Sequence, residues 1–166
     1  MAELERRGYA TVSEPGRRIV QEETACGGTA LPWVDEVQFL RRVATQAALD
    51  FDKARDVPGP WIFFDRGLID AFSGLQHLTG EATPNALQLS VRYNRLVFLT
   101  PPWPEIYEND PERRHDLQAG MAEYERLTAT YPSLGYQTCI LPKLSVMDRA
   151  DMVLTELSRQ DRSGEP

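Results

Sequence analysis

Acidic and basic side chains follow two short apolar runs of the sequence, in positions suited to chemistry on a phosphate group. The apolar run 61–64 leads directly into Asp65 and Arg66. A buried strand that ends in a carboxylate is typical of the Walker B arrangement, in which aspartate holds Mg²⁺ against nucleotide phosphates. Glu14 and Arg17 follow the run 9–12 in a similar way. Phosphoryl transfer needs such a mixture, because carboxylates hold the metal or accept a proton while arginines offset charge on the transferring group.

Two further apolar runs are followed by polar or basic residues. Downstream of residues 95–99 and 136–141 come Thr100, Arg113, Arg114, Pro142, Lys143 and Ser145. The carboxyl ends of parallel strands meet at one edge of a sheet, where ligands bind in open α/β folds. We therefore expect all of these residues to converge on one cleft.

Each candidate also has a purely structural interpretation. Asp65 could cap a helix that starts near Gly67, and Glu14 could be a turn residue before Pro-Gly. Arg113 and Arg114 could lie on the solvated face of a long acidic helix. The residue types alone leave these alternatives open.

The elements that would position these residues alternate between strands and helices. Strands are predicted at 9–12, 61–65, 95–99 and 136–141, and helices at 2–7, 17–24, 34–55, 68–79, 84–93, 111–131 and 146–157. Short apolar strands between helices indicate a parallel sheet with helices on both faces. The pattern predicts a single α/β domain over residues 1–159, and a polar, disordered tail over residues 160–166.

Composition excludes several classes of function. The length of 166 residues fits one domain, and the net charge of -7 disfavours a nucleic-acid partner. No apolar stretch approaches the roughly 20 residues of a membrane span, so no membrane partner is expected. Cys26 and Cys139 are far apart, and with His77 and His115 they form no zinc-site spacing. Two unpaired cysteines and the lack of an apolar N-terminal run favour a cytoplasmic setting.

The glycine-rich loop that normally accompanies a Walker B strand is missing from this sequence. The motif G-x-x-x-x-G-K-[ST], whose backbone N–H groups cradle phosphates, occurs nowhere in it. The two lysines, Lys53 and Lys143, do not follow a glycine.

Taken in order, the segments resemble the NadR-like kinase branch of the AAA-type P-loop NTPase family. The resemblance covers nearly all of residues 4–157. It is carried by RGYATVSEPGRRIVQEE at 7–23, FFDRGLIDA at 63–71, RYNRLVFLTPPWPEIYENDPERR at 92–114, GYQTCILP at 135–142 and SVMDRADMVL at 145–154.

The resemblance implies a three-layer domain that binds ATP or GTP with Mg²⁺ and transfers a phosphoryl group to a small-molecule acceptor. Asp65 would match the Walker B aspartate and metal ligand. Glu14 and Arg66 would match acceptor-side catalytic residues.

The resemblance also implies a set of nucleotide-binding residues. Arg113 and Arg114 would match lid arginines that close over the phosphates, with Arg17 as a further phosphate-binding candidate. Pro142 and Ser145 would lie in a loop beside the adenine.

This chain departs from the resemblance at its N-terminus. Residues 2–7 are interpreted as the end of a helix, with a frayed tail before the first strand as the alternative. The family's first strand and its phosphate loop are then absent from this sequence. That strand would lie mid-sheet, so strands 61–65 and 95–99 are expected either to be adjacent or to flank a gap. Three explanations stay open: a start codon assigned too late, a degenerate module that binds a ligand or protein without catalysis, or a nonfunctional fragment. We expect the 166-residue chain to be inactive or impaired as a kinase.

Overall fold

Helices and strands alternate along the chain, as the apolar pattern predicts. The structure is a computed structural model that describes residues 1–80, 93–106 and 117–163. The strands are β1 (Ala10–Val12), β2 (Ile62–Phe64), β3 (Leu96–Leu99) and β4 (Gln137–Ile140). The helices are α1 (Ala2–Arg6), α2 (Pro15–Cys26), α3 (Glu36–Ala54), α4 (Leu68–Thr79), α5 (Leu117–Ser133) and α6 (Val146–Ser163), with a 3₁₀ turn at Pro104–Ile106. The mixed α/β class is confirmed.

The strands form two parallel pairs. β1 pairs with β2, with Val12 opposite Phe64, and β3 pairs with β4, with Leu99 opposite Ile140. Asp65 extends the first pair, because its backbone N–H donates to the carbonyl of Val12 at 2.8 Å. Among the described residues, β2 and β3 do not pair with each other. Direct adjacency of these strands, one of the two arrangements expected, is therefore not observed there.

The larger apolar core lies between helices α2 to α5 and strand β3. Ile19 and Ile69 are its most completely buried large side chains, each 2% exposed. Val43 and Ala47 of α3, and Leu127 of α5, pack into the same cluster. Burial of such side chains is the main favourable term in folding, at about 1.5–3 kcal/mol for each large apolar residue.

A second apolar cluster connects the two strand pairs. Leu141, Val153 and Leu157 form its buried part. Phe63 of β2 and Phe98 of β3 both pack against it. The two pairs therefore share an apolar neighbour on α6, although no backbone hydrogen bond joins β2 to β3 in the described residues.

Several helix boundaries differ from those predicted. α2 begins at Pro15 rather than at residue 17, because proline fits the first turn of a helix. α2 ends at Cys26, where Gly27 adopts the left-handed conformation, with φ of 69°. α6 continues to Ser163, beyond residue 160, where the sequence predicts a tail.

Two predicted helices fall wholly or partly outside the described ranges. The helix predicted at 84–93 lies outside them except for Tyr93. The helix predicted at 111–131 is seen from Leu117 and continues to Ser133. None of the helices that the structure describes has the length and apolar character required to cross a lipid bilayer.

Candidate functional site

Four of the predicted site residues meet at the carboxyl edge of the β1–β2 pair. Because Val12 and Phe64 are opposite each other in register, the residues that follow both strands emerge at the same edge. Three of them, Glu14, Arg17 and Asp65, line a cavity of about 330 Å³. The lining residues are Ser13, Glu14, Arg17, Arg18, Gln21 and Asp65.

Glu14 lies between two guanidinium groups. Its Oε2 is 3.9 Å from Nε of Arg17, and its Oε1 is 3.8 Å from Nε of Arg66. The Glu14 side chain is 24% exposed. Asp65 is solvent-exposed at the end of β2. The site therefore offers two carboxylates and at least two cations to a ligand in the cavity.

Arg66 adopts an unusual backbone conformation and makes a bidentate ion pair. Its φ of 63° places a non-glycine residue in the left-handed region, which is sparsely populated and often marks functional sites. Its Nη1 and Nη2 donate to Oε1 and Oε2 of Glu123 at 2.6 and 3.0 Å. Desolvation opposes the charge of Arg66, but the carboxylates of Glu123, Asp70 and Glu14 more than offset it and raise its pKa.

A partly buried aspartate, Asp70, whose side chain is 12% exposed, stabilises the turn that presents Arg66. Asp70 Oδ2 accepts hydrogen bonds from the backbone N–H of Gly67 and from the Tyr131 hydroxyl, both at 2.9 Å. Burial raises the pKa of Asp70, with the nearby Arg66 charge opposing the shift. Burial and the neighbouring Asp70 raise the pKa of Tyr131 as well. Asp70 thus supplies the side-chain cap of α4. The sequence offered Asp65 as a possible cap of this helix, and that arrangement is not observed among the described residues.

Arg18 faces a buried carboxylate. Its guanidinium forms an ion pair with Asp50 of α3, which is 8% exposed. Gln46 Nε2 also donates to Asp50, at 2.9 Å. This network fixes α2 against α3 and so holds one wall of the cavity.

The turn after β4 contains the residues predicted to lie beside the nucleotide base. Ser145 precedes α6, where its hydroxyl donates to Asp148 at 2.6 Å and accepts from the Asp148 backbone N–H at 3.2 Å. Lys143 lies 3.6 Å from Glu105. Pro142 belongs to the same turn, where its carbonyl accepts from the backbone N–H of Leu144 at 2.8 Å.

The remaining predicted residues fall in different parts of the chain. Arg113 and Arg114 lie outside the described residues. The structure thus brings Glu14, Arg17, Asp65 and Arg66 together, while Pro142 and Ser145 belong to the β3–β4 pair.

Sequence reasoning missed the residues that hold the site in place. Asp70 has a local signal, since it stands three residues after Gly67, a spacing typical of helix N-termini. No local signal marks the other three residues, because they reach the site from distant helices: Glu123, Tyr131 and Asp50.

Comparison with known proteins adds a family assignment. A family profile for the AAA domain matches residues 1–149. The chain belongs to the AAA domain family. Membership indicates a nucleotide-binding domain of the P-loop NTPase type, a class that generally binds its nucleotide with Mg²⁺. No curated protein and no solved structure matches the chain.

The carboxyl edge of β1 and β2 is chemically compatible with Mg²⁺ and a nucleotide. Mg²⁺ is commonly held by one or two carboxylates, with phosphate and water oxygens completing its shell. Asp65 and Glu14 line one cavity and supply such oxygens. No group of three or more His, Cys, Asp or Glu side chains that could hold a metal ion occurs in ranges 1–80, 93–106 and 117–163.

Proposed function

We propose that this domain binds a nucleotide with Mg²⁺ at the carboxyl edge of β1 and β2, and that its chemistry is phosphoryl transfer to a small acceptor. The observation that carries the proposal is the common cavity of about 330 Å³ that Glu14, Arg17 and Asp65 line. Carboxylates that follow two different strands share this cavity with arginines, as phosphoryl transfer requires. Membership of the AAA domain family supports the nucleotide as ligand.

Each side chain has a distinct role in this proposal. Asp65, exposed at the end of β2, would hold Mg²⁺, which when bound neutralises charge on phosphate oxygens. Glu14 would accept the proton of an acceptor hydroxyl, since it is partly exposed to the cavity. Arg17 would offset phosphate charge from the other side of Glu14, and Arg66 would act on the acceptor side.

The NadR-like resemblance supplies the finer part of the proposal. Arg113 and Arg114 would close over the phosphates of ATP or GTP. Pro142 and Ser145 would lie beside the base of that nucleotide. The missing G-x-x-x-x-G-K-[ST] motif removes backbone donors and a lysine from phosphate binding. We therefore expect the 166-residue chain to bind nucleotide weakly and to turn it over slowly or not at all.

The experiment is a thermal-shift titration with ATP and GTP, each with and without Mg²⁺, followed by measurement of phosphate release. The comparison is between the wild type, Asp65→Asn and Asp56→Asn. Asp56 is an exposed carboxylate in the turn after α3 and serves as the matched control. We expect a Mg²⁺-dependent shift in the wild type and in the control, and its loss in Asp65→Asn. An equal shift in all three proteins would contradict the role of Asp65.

A second candidate function is a non-catalytic module that binds a ligand or a protein on the same scaffold. Two observations favour this non-catalytic function. The phosphate-loop motif is missing from the sequence, and Glu123 already binds the Arg66 guanidinium. It predicts a cooperative thermal transition that ATP and GTP leave unchanged at millimolar concentration. That result would refute the nucleotide-binding proposal for this chain.

A further inference from the structure

The Arg66 guanidinium presents two parallel donors to a carboxylate of the protein itself. The 2.6 and 3.0 Å contacts from Nη1 and Nη2 engage both oxygens of Glu123. A guanidinium uses the same two-pronged arrangement to bind a phosphate group. Glu123 therefore occupies the donors that an anionic ligand of Arg66 would need.

The ion pair is accessible enough to be exchanged. The Arg66 side chain is 37% exposed and that of Glu123 is 33% exposed. Ion pairs at such solvent-exposed positions are weak, because water competes for both partners. The other two carboxylates around Arg66, those of Glu14 and Asp70, are each 3.8 Å away. Of the three carboxylates, that of Glu123 on α5 is therefore nearest to the Arg66 guanidinium.

Glu123 also connects Arg66 to the helix that holds the neighbouring turn. Tyr131 stands eight residues after Glu123 on α5, and so on the same face of the helix, where it donates to Asp70. α5 therefore contacts the turn after β2 at two points. Release of Glu123 from Arg66 would remove one of them.

We propose that Glu123 is an internal competitor for an anion at Arg66, which a phosphate group must displace in order to bind. The proposal rests on the proposed function in one respect, since it takes the anion to be a phosphate group of that same site. Arg66 keeps its positive charge whether it is paired with Glu123 or with the ligand. The exchange therefore replaces one bidentate ion pair by another.

The test is calorimetric titration with inorganic pyrophosphate, without nucleotide or Mg²⁺, on the full chain. The proteins are the wild type, Glu123→Gln, Glu125→Gln and the double variant Glu123→Gln with Arg66→Gln. Glu125 is exposed on the same helix, so Glu125→Gln makes the same change in charge without touching the ion pair. We expect Glu123→Gln to bind pyrophosphate about threefold to tenfold more tightly than the wild type. Glu125→Gln should stay within about twofold of the wild type, and the double variant should lose the gain.

Several outcomes overturn the proposal. Equal gains in Glu123→Gln and Glu125→Gln would show a general effect of charge rather than competition at Arg66. Unchanged or weaker binding by Glu123→Gln would show that Glu123 positions Arg66 for its ligand.

A second measurement applies to the wild type, in case Glu123→Gln does not fold. NMR signals of the Arg66 Nε and the Glu123 carboxyl carbon are followed during a pyrophosphate titration. Joint movement with one binding constant is expected, and movement of Arg66 without Glu123, or of neither, refutes the competition. Because no nucleotide is present, this result is independent of whether the chain turns nucleotide over.

Discussion

The turns after β2 and after β4 have a similar local design and very different surroundings. Each leads from a parallel strand into a helix that has an aspartate as its third residue, Asp70 in α4 and Asp148 in α6. Each aspartate makes a hydrogen bond with the residue before its helix, Gly67 or Ser145. Beside Asp70, Ile69 is 2% exposed, whereas Met147 beside Asp148 is 59% exposed.

The difference shows where tertiary contacts concentrate in this molecule. The turn after β4 caps its helix with its own neighbours, in contact with solvent. The turn after β2 is held by side chains from α5, because Glu123 binds Arg66 and Tyr131 binds Asp70. A residue in a left-handed conformation can persist where its surroundings hold it, and Arg66 is such a residue. This turn is therefore the better candidate for a functional site.

The largest expected effect is a loss of stability when the apolar side chain beside Asp70, but not the one beside Asp148, is shortened. Ile69→Ala should lower the free energy of unfolding by about 2–5 kcal/mol, because it leaves a cavity in the core. Met147→Ala should change it by no more than about 0.5 kcal/mol, because that side chain is largely exposed. Urea unfolding followed by circular dichroism measures both. Similar losses in the two variants would mean that the turns are equally buried in solution.

A smaller effect is expected from the two aspartates. Asp70→Ala leaves the Gly67 N–H and the buried Tyr131 hydroxyl without their acceptor and should cost about 2–3 kcal/mol. Asp148→Ala should cost about 0.3–1 kcal/mol, the usual contribution of an acid in an exposed first helical turn. The same urea experiment compares them. A larger loss for Asp148→Ala would reverse the comparison.

The smallest effect concerns pH and the charge of Asp70. Burial raises the pKa of Asp70 above its ordinary value of 3.8, so the folded state binds this proton more tightly than the unfolded state. Stability from this group therefore decreases as pH rises from 3.8 through the raised pKa of the folded state. Asp70→Asn keeps a carbonyl acceptor but has no charge, so it should gain stability relative to the wild type over that interval.

The pH prediction is checked by urea unfolding of both proteins at several values between about pH 3 and pH 7. Asp148→Asn, measured in parallel, controls for removal of one carboxylate from a helix N-terminus. A wild type that gains stability relative to Asp70→Asn as pH rises would contradict the effect of burial.

Much of the fold could be predicted from local patterns. The apolar run at 61–64 forms β2. Asp35 and Glu36 stand at the start of α3, where the Asp35 side chain accepts a hydrogen bond from the Gln38 backbone N–H. Glu14 and Asp65 share a cavity, as expected from two parallel strands ending at one edge. These features depend on side-chain period, capping and strand direction, all of which are read within a few residues.

The partners of the candidate site could not be predicted in this way. Arg66 was expected to face a ligand, and the structure adds that Glu123, 57 residues further along the chain, holds its guanidinium. Arg18 likewise pairs with Asp50 of α3. No periodic pattern relates residues so distant, since their contact depends on how whole helices pack.

The amino-acid sequence by itself determined the alternation of strands and helices, the parallel pairing and the carboxylates at the ends of β1 and β2. These follow from apolar period and chain direction, which act locally. Only the tertiary structure decided that Asp70 is partly buried, that Arg66 is bound by Glu123, and that the similar turn after β4 stays exposed. The physical reason is that burial and ion pairing depend on which helices lie against a turn, and here α5 lies against the turn after β2.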